Sequence, residues 1–198
     1  MAYESFTLAL LEQRFTLTYR QTEDAFGSLA PIEPSDFLRT AVARGLPLVV
    51  GKTSEKARSE VLVMPVLLEV REIRGRQVAI FSGVKFDVDR KSGLFGYCDF
   101  LITRDPMVDD IRAPVVAVAE AKKEDLNAGL PQCVAEMVAT QKFNRDRDSD
   151  VRVVYGAVTD GTRWRFLQLE GATVSIDLRE YPLAELARIL GVLVAMVS

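Results

Sequence analysis

The sequence predicts an α/β protein, a central mixed β-sheet flanked by α-helices, and three observations carry the prediction. Residues 115–119, Val-Val-Ala-Val-Ala, form an unbroken apolar run, too short for a typical helix and of the kind found in strands buried on both faces. Leu126, Leu130, Cys133, Val134, Met137 and Val138 recur at helical spacing, giving a stripe that can cover one face of a sheet. Residues 151–159 and 164–169 read as strands joined by an Asp160-Gly161 turn, a hairpin signature. With 198 residues the chain is long enough for one substantial core. A single domain over 1–198 is expected, with an accessory segment over 1–50, a core over 54–177 and a C-terminal helix over 183–198.

Taken in order, residues 5–14 predict a short helix with Leu8, Leu11 and Phe15 on one side. Phe15, Leu17 and Tyr19 then alternate with polar residues, the period of an edge strand. Residues 21–33 read as a polar loop. Ser35 can cap a helix running to Arg44, with Gly45 past its end. These first fifty residues read as a cap or part of an interface. Ser54 caps a longer expected helix over 54–74, with Ala57, Val61, Met64 and Leu68 as its apolar stripe and a kink at Pro65. Residues 78–81 and 84–89 predict two strands; in the second, Lys85, Asp87 and Asp89 form a regular polar face. A third begins near Tyr97, and the two prolines and charged turn-formers of 104–113 connect it to the valine-rich strand. Lys123–Asp125 lead into the helix that carries the Leu126 stripe, which runs to about residue 143. A last strand over 174–177 and a helix over 183–197 complete the chain.

Composition narrows the chemistry. The sequence contains no histidine, which removes histidine zinc sites, histidine acid–base catalysis and Ser-His-Asp triads. Hydrolysis would have to run on carboxylates, lysine and a metal. Two cysteines, Cys98 and Cys133, lack CxxC spacing and lie in apolar segments, as expected of reduced core residues in a cytoplasmic protein. No signal-peptide pattern opens the chain, and the apolar run 189–197 is about half the length that spans a bilayer, so no membrane is expected. The net charge of −3 argues against strong non-specific DNA binding, which needs many phosphate-neutralising cations.

The valine-rich strand ends in Glu120-Ala121-Lys122. Side chains alternate along a strand, so Glu120 and Lys122 leave the core on one face. A strand that merely reaches solvent would look the same. The preceding strand, however, is apolar except for Asp99 near its beginning. Antiparallel pairing with Thr103 opposite Val116 sets Leu101 against Val118 and Asp99 against Glu120. Two opposed carboxylates on one sheet face repel unless a cation lies between them. Asp87 and Asp89 are rivals for that role, but they belong to a regular polar face.

On these residues the chain resembles the PD-(D/E)xK nuclease superfamily, whose core motif is an acid on one strand followed by (D/E)-x-K on the next. Asp99 and Glu120-Ala121-Lys122 match it, and the resemblance covers about residues 54–169. Glu60 lies on a helix where many members carry a further acid. Gln132 falls where RecB-like members have the glutamine of a Q-x-x-x-Y motif. The segment 155–166 resembles the strand–turn–strand after the motif helix in nuclease domains of type I restriction motor subunits. Cys98 replaces the usual proline, and Glu136 stands in the place of the tyrosine.

The resemblance implies a restriction-endonuclease-like three-layer core and a metal-dependent nuclease. In it Asp99, Glu120 and the backbone carbonyl of Ala121 hold Mg²⁺ or Mn²⁺, and Lys122 supports the transition state. Glu60 and Gln132 join the catalytic group by resemblance; on spacing alone Glu60 reads equally as a solvated acid, and Gln132 reads first as a surface glutamine. Arg163 and Arg165, alternating on a nearby strand, are candidate phosphate contacts. Nucleic acid is the expected partner, DNA ahead of RNA. Two other readings stay open: a non-catalytic binding module that keeps the fold, and a metal-dependent hydrolase of some other substrate. The last helix carries only Glu185 and Arg188 as charges, so it requires burial on several sides, either within its own chain or in a homodimer.

Overall fold

A computed structural model describes residues 2–49, 51, 54–122 and 125–198. An eight-stranded mixed sheet forms its middle, with helices on both faces. The strands are β1 (Thr18–Thr22), β2 (Ala79–Lys85), β3 (Tyr97–Thr103), β4 (Val115–Ala121), β5 (Val153–Thr159), β6 (Arg163–Glu170), β7 (Thr173–Asp177) and β8 (Tyr181–Pro182). Their order is β1-β7-β6-β5-β4-β3-β2, with β8 beside β6. The β1/β7 and β4/β5 pairs are parallel and the others antiparallel.

The β4–β5 pair is parallel because a helix crosses between them, α5 (Leu126–Arg145). All six residues of its predicted stripe are buried. Together with α1 (Leu8–Phe15) it covers one face of the sheet, over Leu101, Val154, Leu167 and Val174. The other face is covered by α4 (Met64–Ile73) and α6 (Leu186–Met196), over Phe100, Ile102, Ala119 and Phe166. Residues Lys123 and Glu124 of the expected lead-in to α5 lie outside the described ones.

Several expectations change. The first fifty residues are built into the molecule: β1 pairs with β7, and Tyr3, Phe6, Leu11 and Leu17 are buried in the α5-side core. The second helix, α2 (Asp36–Val49), continues through Gly45. A Cβ at that glycine would meet the Val61 carbonyl oxygen at 2.6 Å, so glycine there permits close packing rather than ending the helix. The Ser54 cap is present, its hydroxyl accepting from the Ala57 amide at 3.1 Å, and it starts α3 (Glu55–Arg58). A π-helical turn at Ser59–Val63 joins α3 to α4. Pro65 has no N–H to give the Val61 carbonyl, and the wider turn accommodates the loss. The extra residue rotates the apolar stripe, so Leu62, Val63, Val66, Leu67 and Val70 are buried while Leu68 is exposed.

The two strands expected over 78–89 are one, β2, followed by a turn in which Asp87 holds Arg90 and Asp89 holds Ser92. The rivals to Asp99 therefore serve that turn. The last helix is covered within its own chain. Ile189, Leu190, Val192, Leu193, Met196 and Val197 are all buried. The loop before α2 crosses α6, with the Ile32 amide donating to the Ala187 carbonyl at 2.8 Å. The helix thus supplies no reason for a homodimer. Among the described residues no helix is long and apolar enough to cross a membrane.

Candidate active site

Helix α5 runs antiparallel to β4 and grips it at both ends. Near its C-terminus Asn144 donates to the Val115 carbonyl at 2.6 Å and accepts from the Val115 amide at 2.9 Å. Near its start Gln132 donates to Glu120 Oε2 at 2.9 Å. Twelve helical residues rise about 18 Å and five strand residues about 17 Å, so one helix spans the same length of strand and fixes where β4 ends. Gly129 makes the close approach possible: a Cβ there would lie 2.6 Å from Val158 Cγ1 and 2.9 Å from Lys122 Cγ.

The register between β3 and β4 sets Leu101 opposite Val118, the pairing supposed from the sequence. A bulge between Ile102 and Thr103 shifts the far end, so Thr103 faces Val115 rather than Val116. The paired ladder closes at Phe100 and Ala119, one residue short of Asp99 and Glu120 on either strand. Val84 and Cys98 pack on the same face as Phe81 and Leu101, so the alternation breaks between them. Gly83, at φ 62°, makes that break in β2. Asp99 is half-buried there and lines a cleft of about 350 Å³ with Ser82, Gly83, Glu55, Lys56, Ser59 and Glu60.

Glu120 is 1% exposed. Its Oε1 takes the Lys122 ammonium at 2.6 Å, and the Gln132 amide group holds the other oxygen. The Gln132 nitrogen also donates to Glu136 Oε1 at 3.1 Å, and its oxygen accepts from Lys122 at 3.3 Å. Only one orientation of the amide satisfies all three partners. Glu136 is fully buried, and its second oxygen has no partner. Burial, then the Asp99 charge, push the Glu120 carboxyl up to about 7 against the opposing pull of Lys122. Burial and the neighbouring Glu120 push Glu136 well above the usual carboxylate range. Burial works to lower the Lys122 pKa, but Glu120 more than reverses it and keeps the amine charged. Three acids thus share one enclosed region with one base.

Of the residues singled out from sequence, Glu120, Lys122 and Gln132 are joined directly, Asp99 lies near enough to act on the charges of Glu120 and Lys122, and Ala121 closes β4 beside them. Glu60 reaches the same cleft as Asp99 but sits on its rim, exposed and paired to Lys56 at 3.5 Å. Arg163 is bound by Asp160 at 2.9 Å and Glu180 at 3.2 Å. Arg165 is buried, donating to the Asp177 carbonyl at 2.9 Å and to Asn127 at 2.7 Å. Both arginines tie the chain to itself, and strand alternation alone does not separate that use from phosphate contact. Glu136, Asn144 and Gly129 were not read as site residues. Their signals were the i,i+4 spacing of Gln132 and Glu136 and an isolated glycine inside a helix. Compared with known proteins, the chain matches no protein-family model and no curated protein at significant similarity.

Proposed function

We propose that the protein is a metal-dependent nuclease with a restriction-endonuclease-like core, acting in the cytoplasm on nucleic-acid phosphodiester bonds, with DNA preferred. The observation that carries the reading is the joined set of Glu120, Lys122 and Gln132 at the end of β4, with Asp99 of the neighbouring open cleft near enough to act on the charges of Glu120 and Lys122.

The donor set suits a hard cation. Asp99 and Glu120 offer carboxylate oxygens and Ala121 a backbone carbonyl, the ligand types that Mg²⁺ and Mn²⁺ take. Among the described residues no group of three or more His, Cys, Asp or Glu gathers around one point; two carboxylates and a carbonyl do not require one. Beside the burial that raises Glu120, the nearby Asp99 charge is negative character of the kind a cation relieves. Bound there, the ion would lower the pKa of a water and polarise the phosphoryl oxygen.

The chain's own groups do the rest. Lys122 is partly exposed, so its ammonium can meet charge that develops on a phosphorane-like transition state. Gln132 fixes both that ammonium and the Glu120 carboxylate. Glu136 fixes Gln132 and is a positioning residue. A second reading, a non-catalytic binding module, is favoured by one feature: both Glu120 oxygens already have partners within the chain.

Incubation with single- and double-stranded DNA and RNA, with Mn²⁺ or EDTA, separates the two. Cleavage that needs Mn²⁺ and falls by orders of magnitude in Lys122→Ala is expected. Undiminished metal-dependent turnover by Lys122→Ala would refute the mechanism, and tight binding without cleavage would select the module.

A further inference from the structure

Two clefts outside the acid cluster join into one path that begins at the site. The first, about 390 Å³, is lined by Gln132, Tyr97, Phe95, Lys85 and Arg90. The second, about 460 Å³, shares Lys85 and Asp87 with the first and continues to Arg112, Phe143 and Arg147. Gln132 and Arg147 are fifteen positions apart along and just past α5, so the path is about 22 Å long by helical rise.

Its chemistry differs from that of the whole chain. Four cations, Lys85, Arg90, Arg112 and Arg147, face three acids, Glu4, Asp87 and Asp110, in a protein of net charge −3. Asp87 is held between Lys85 and Arg90 and fixes both heads. Arg90 and Arg147 hold their guanidinium groups over the rings of Phe95 and Phe143, at 4.8 and 3.5 Å from their centres, a cation–π contact that helps place their heads. Tyr97, opposite Lys85 and two residues before Asp99, is 67% exposed. A large aromatic ring in that position, two-thirds uncovered, is a surface on which a base can stack.

We propose that a single strand of nucleic acid lies along this path, with a base on Tyr97 and successive phosphates met by Lys85, Arg112 and Arg147. The inference rests on the nuclease reading and names its substrate as unpaired strand. A duplex keeps its base faces stacked and offers none to Tyr97, whereas stacking on aromatics beside a basic groove is how single strands are held without sequence preference. The length fits a site of about four nucleotides or slightly more.

Fluorescence anisotropy in EDTA, with labelled single strands of four, eight and sixteen nucleotides and a blunt duplex across a salt series, tests it. Wild type should bind the eight-nucleotide strand more tightly than the duplex. Tyr97→Ala should weaken strand binding about 5- to 150-fold, the range for one stacked base, and Tyr97→Phe should retain it. Arg112→Ala with Arg147→Ala should reduce the slope of log affinity against log salt by about 1.4, two single-strand phosphate contacts. Unchanged affinity and slope in these variants would overturn the proposal. So would equal binding of the duplex, or equal competition by poly-glutamate, which would mean a site for any polyanion. Cleavage that persists with the path variants binding normally would sink the path alone. Absence of cleavage with strand binding intact would sink the nuclease reading alone.

Discussion

Replacing Glu120 with Gln keeps the shape of the side chain and removes its titration, which turns the site's electrostatics into a stability measurement. Glu120 is 1% exposed, and its pKa rises from 4.5 to about 7 on folding. At about 1.4 kcal/mol per unit, that difference corresponds to about 3 kcal/mol. Because the folded-state value is the higher one, the folded protein binds the proton more tightly than the unfolded chain. The associated stability is fully present below pH 4.5 and is lost as the pH rises through about 7. Relative to Glu120→Gln, wild type should therefore lose about 3 kcal/mol between pH 4.5 and pH 8, or about 6–12 °C in Tm for a chain of this size. The Lys122 ion pair adds no separate offset: it forms only as Glu120 ionises, and its pull is already contained in the folded-state value of about 7. Urea and thermal melts of both proteins in EDTA at half-unit pH steps supply the curve. A difference between the two proteins that does not change with pH would refute the argument, because it would mean Glu120 ionises as freely in the fold as outside it.

Other expectations follow from the same geometry. Asp99→Asn removes one of the charges that raise Glu120, so it should melt higher than wild type in EDTA at pH 8. Saturating Mn²⁺ should reverse that order, by about 2.7 kcal/mol at a hundred times its Kd. Asn144→Ala leaves the buried N–H and C=O of Val115 without partners, at about 1–3 kcal/mol each, and chemical denaturation should show a loss of about 2–5 kcal/mol. Glu136→Leu fills the same volume without the orphaned oxygen; it should fold with stability equal to or above wild type, yet slow cleavage in kcat more than in KM, because Gln132 is free to turn away from Lys122. A Glu136→Leu enzyme with wild-type kcat would remove Glu136 from its positioning role.

The parts of this fold that were legible in the sequence are those whose pattern is local and strongly periodic. The stripe of α5 and the valine run of β4 specify which face each buries, and Asp99 announces itself by interrupting an apolar strand. Registers were not legible: alternation gives the face of each residue, the pairing of Leu101 with Val118 is a supposition that holds, and no pattern foretold the bulge that moves Thr103 to Val115. The stripe on the helices before β2 was misread because a π-turn inserts a residue of phase, and Pro65 signals a disturbance without saying whether it kinks or widens the helix. Gly45 and Gly129 were opaque for a related reason. A glycine in a helix reads as an end or a flaw, and the Val61 carbonyl or Val158 side chain that needs its space lies on another element. Glu136 was hidden by its residue type: glutamates on helices are almost always solvated, so only the tertiary structure reveals one that is sealed in.

Glu136 also bears on what the site is for. A buried interface between a helix and a sheet normally excludes charge, and this one is apolar at Phe143, Val138, Val134, Leu130 and Leu126. Near the middle of α5 it nevertheless encloses Glu136, close to Glu120 at the end of β4, with Asp99 and Lys122 less deeply buried beside them. Burial of an acid without an adequate counter-charge is unfavourable unless it stays protonated, and the raised Glu120 and Glu136 express that cost. Folding alone would favour an apolar substitute at position 136, which would fit among Cys98, Cys133 and Met137 and leave no orphaned oxygen. On the proposed reading, a cation with its substrate phosphate would offset these acids when the protein works. Local rules of packing are broken where a protein spends stability on a site, and here the break takes in Glu136, which the sequence did not mark, beside Glu120 and Lys122, which it did.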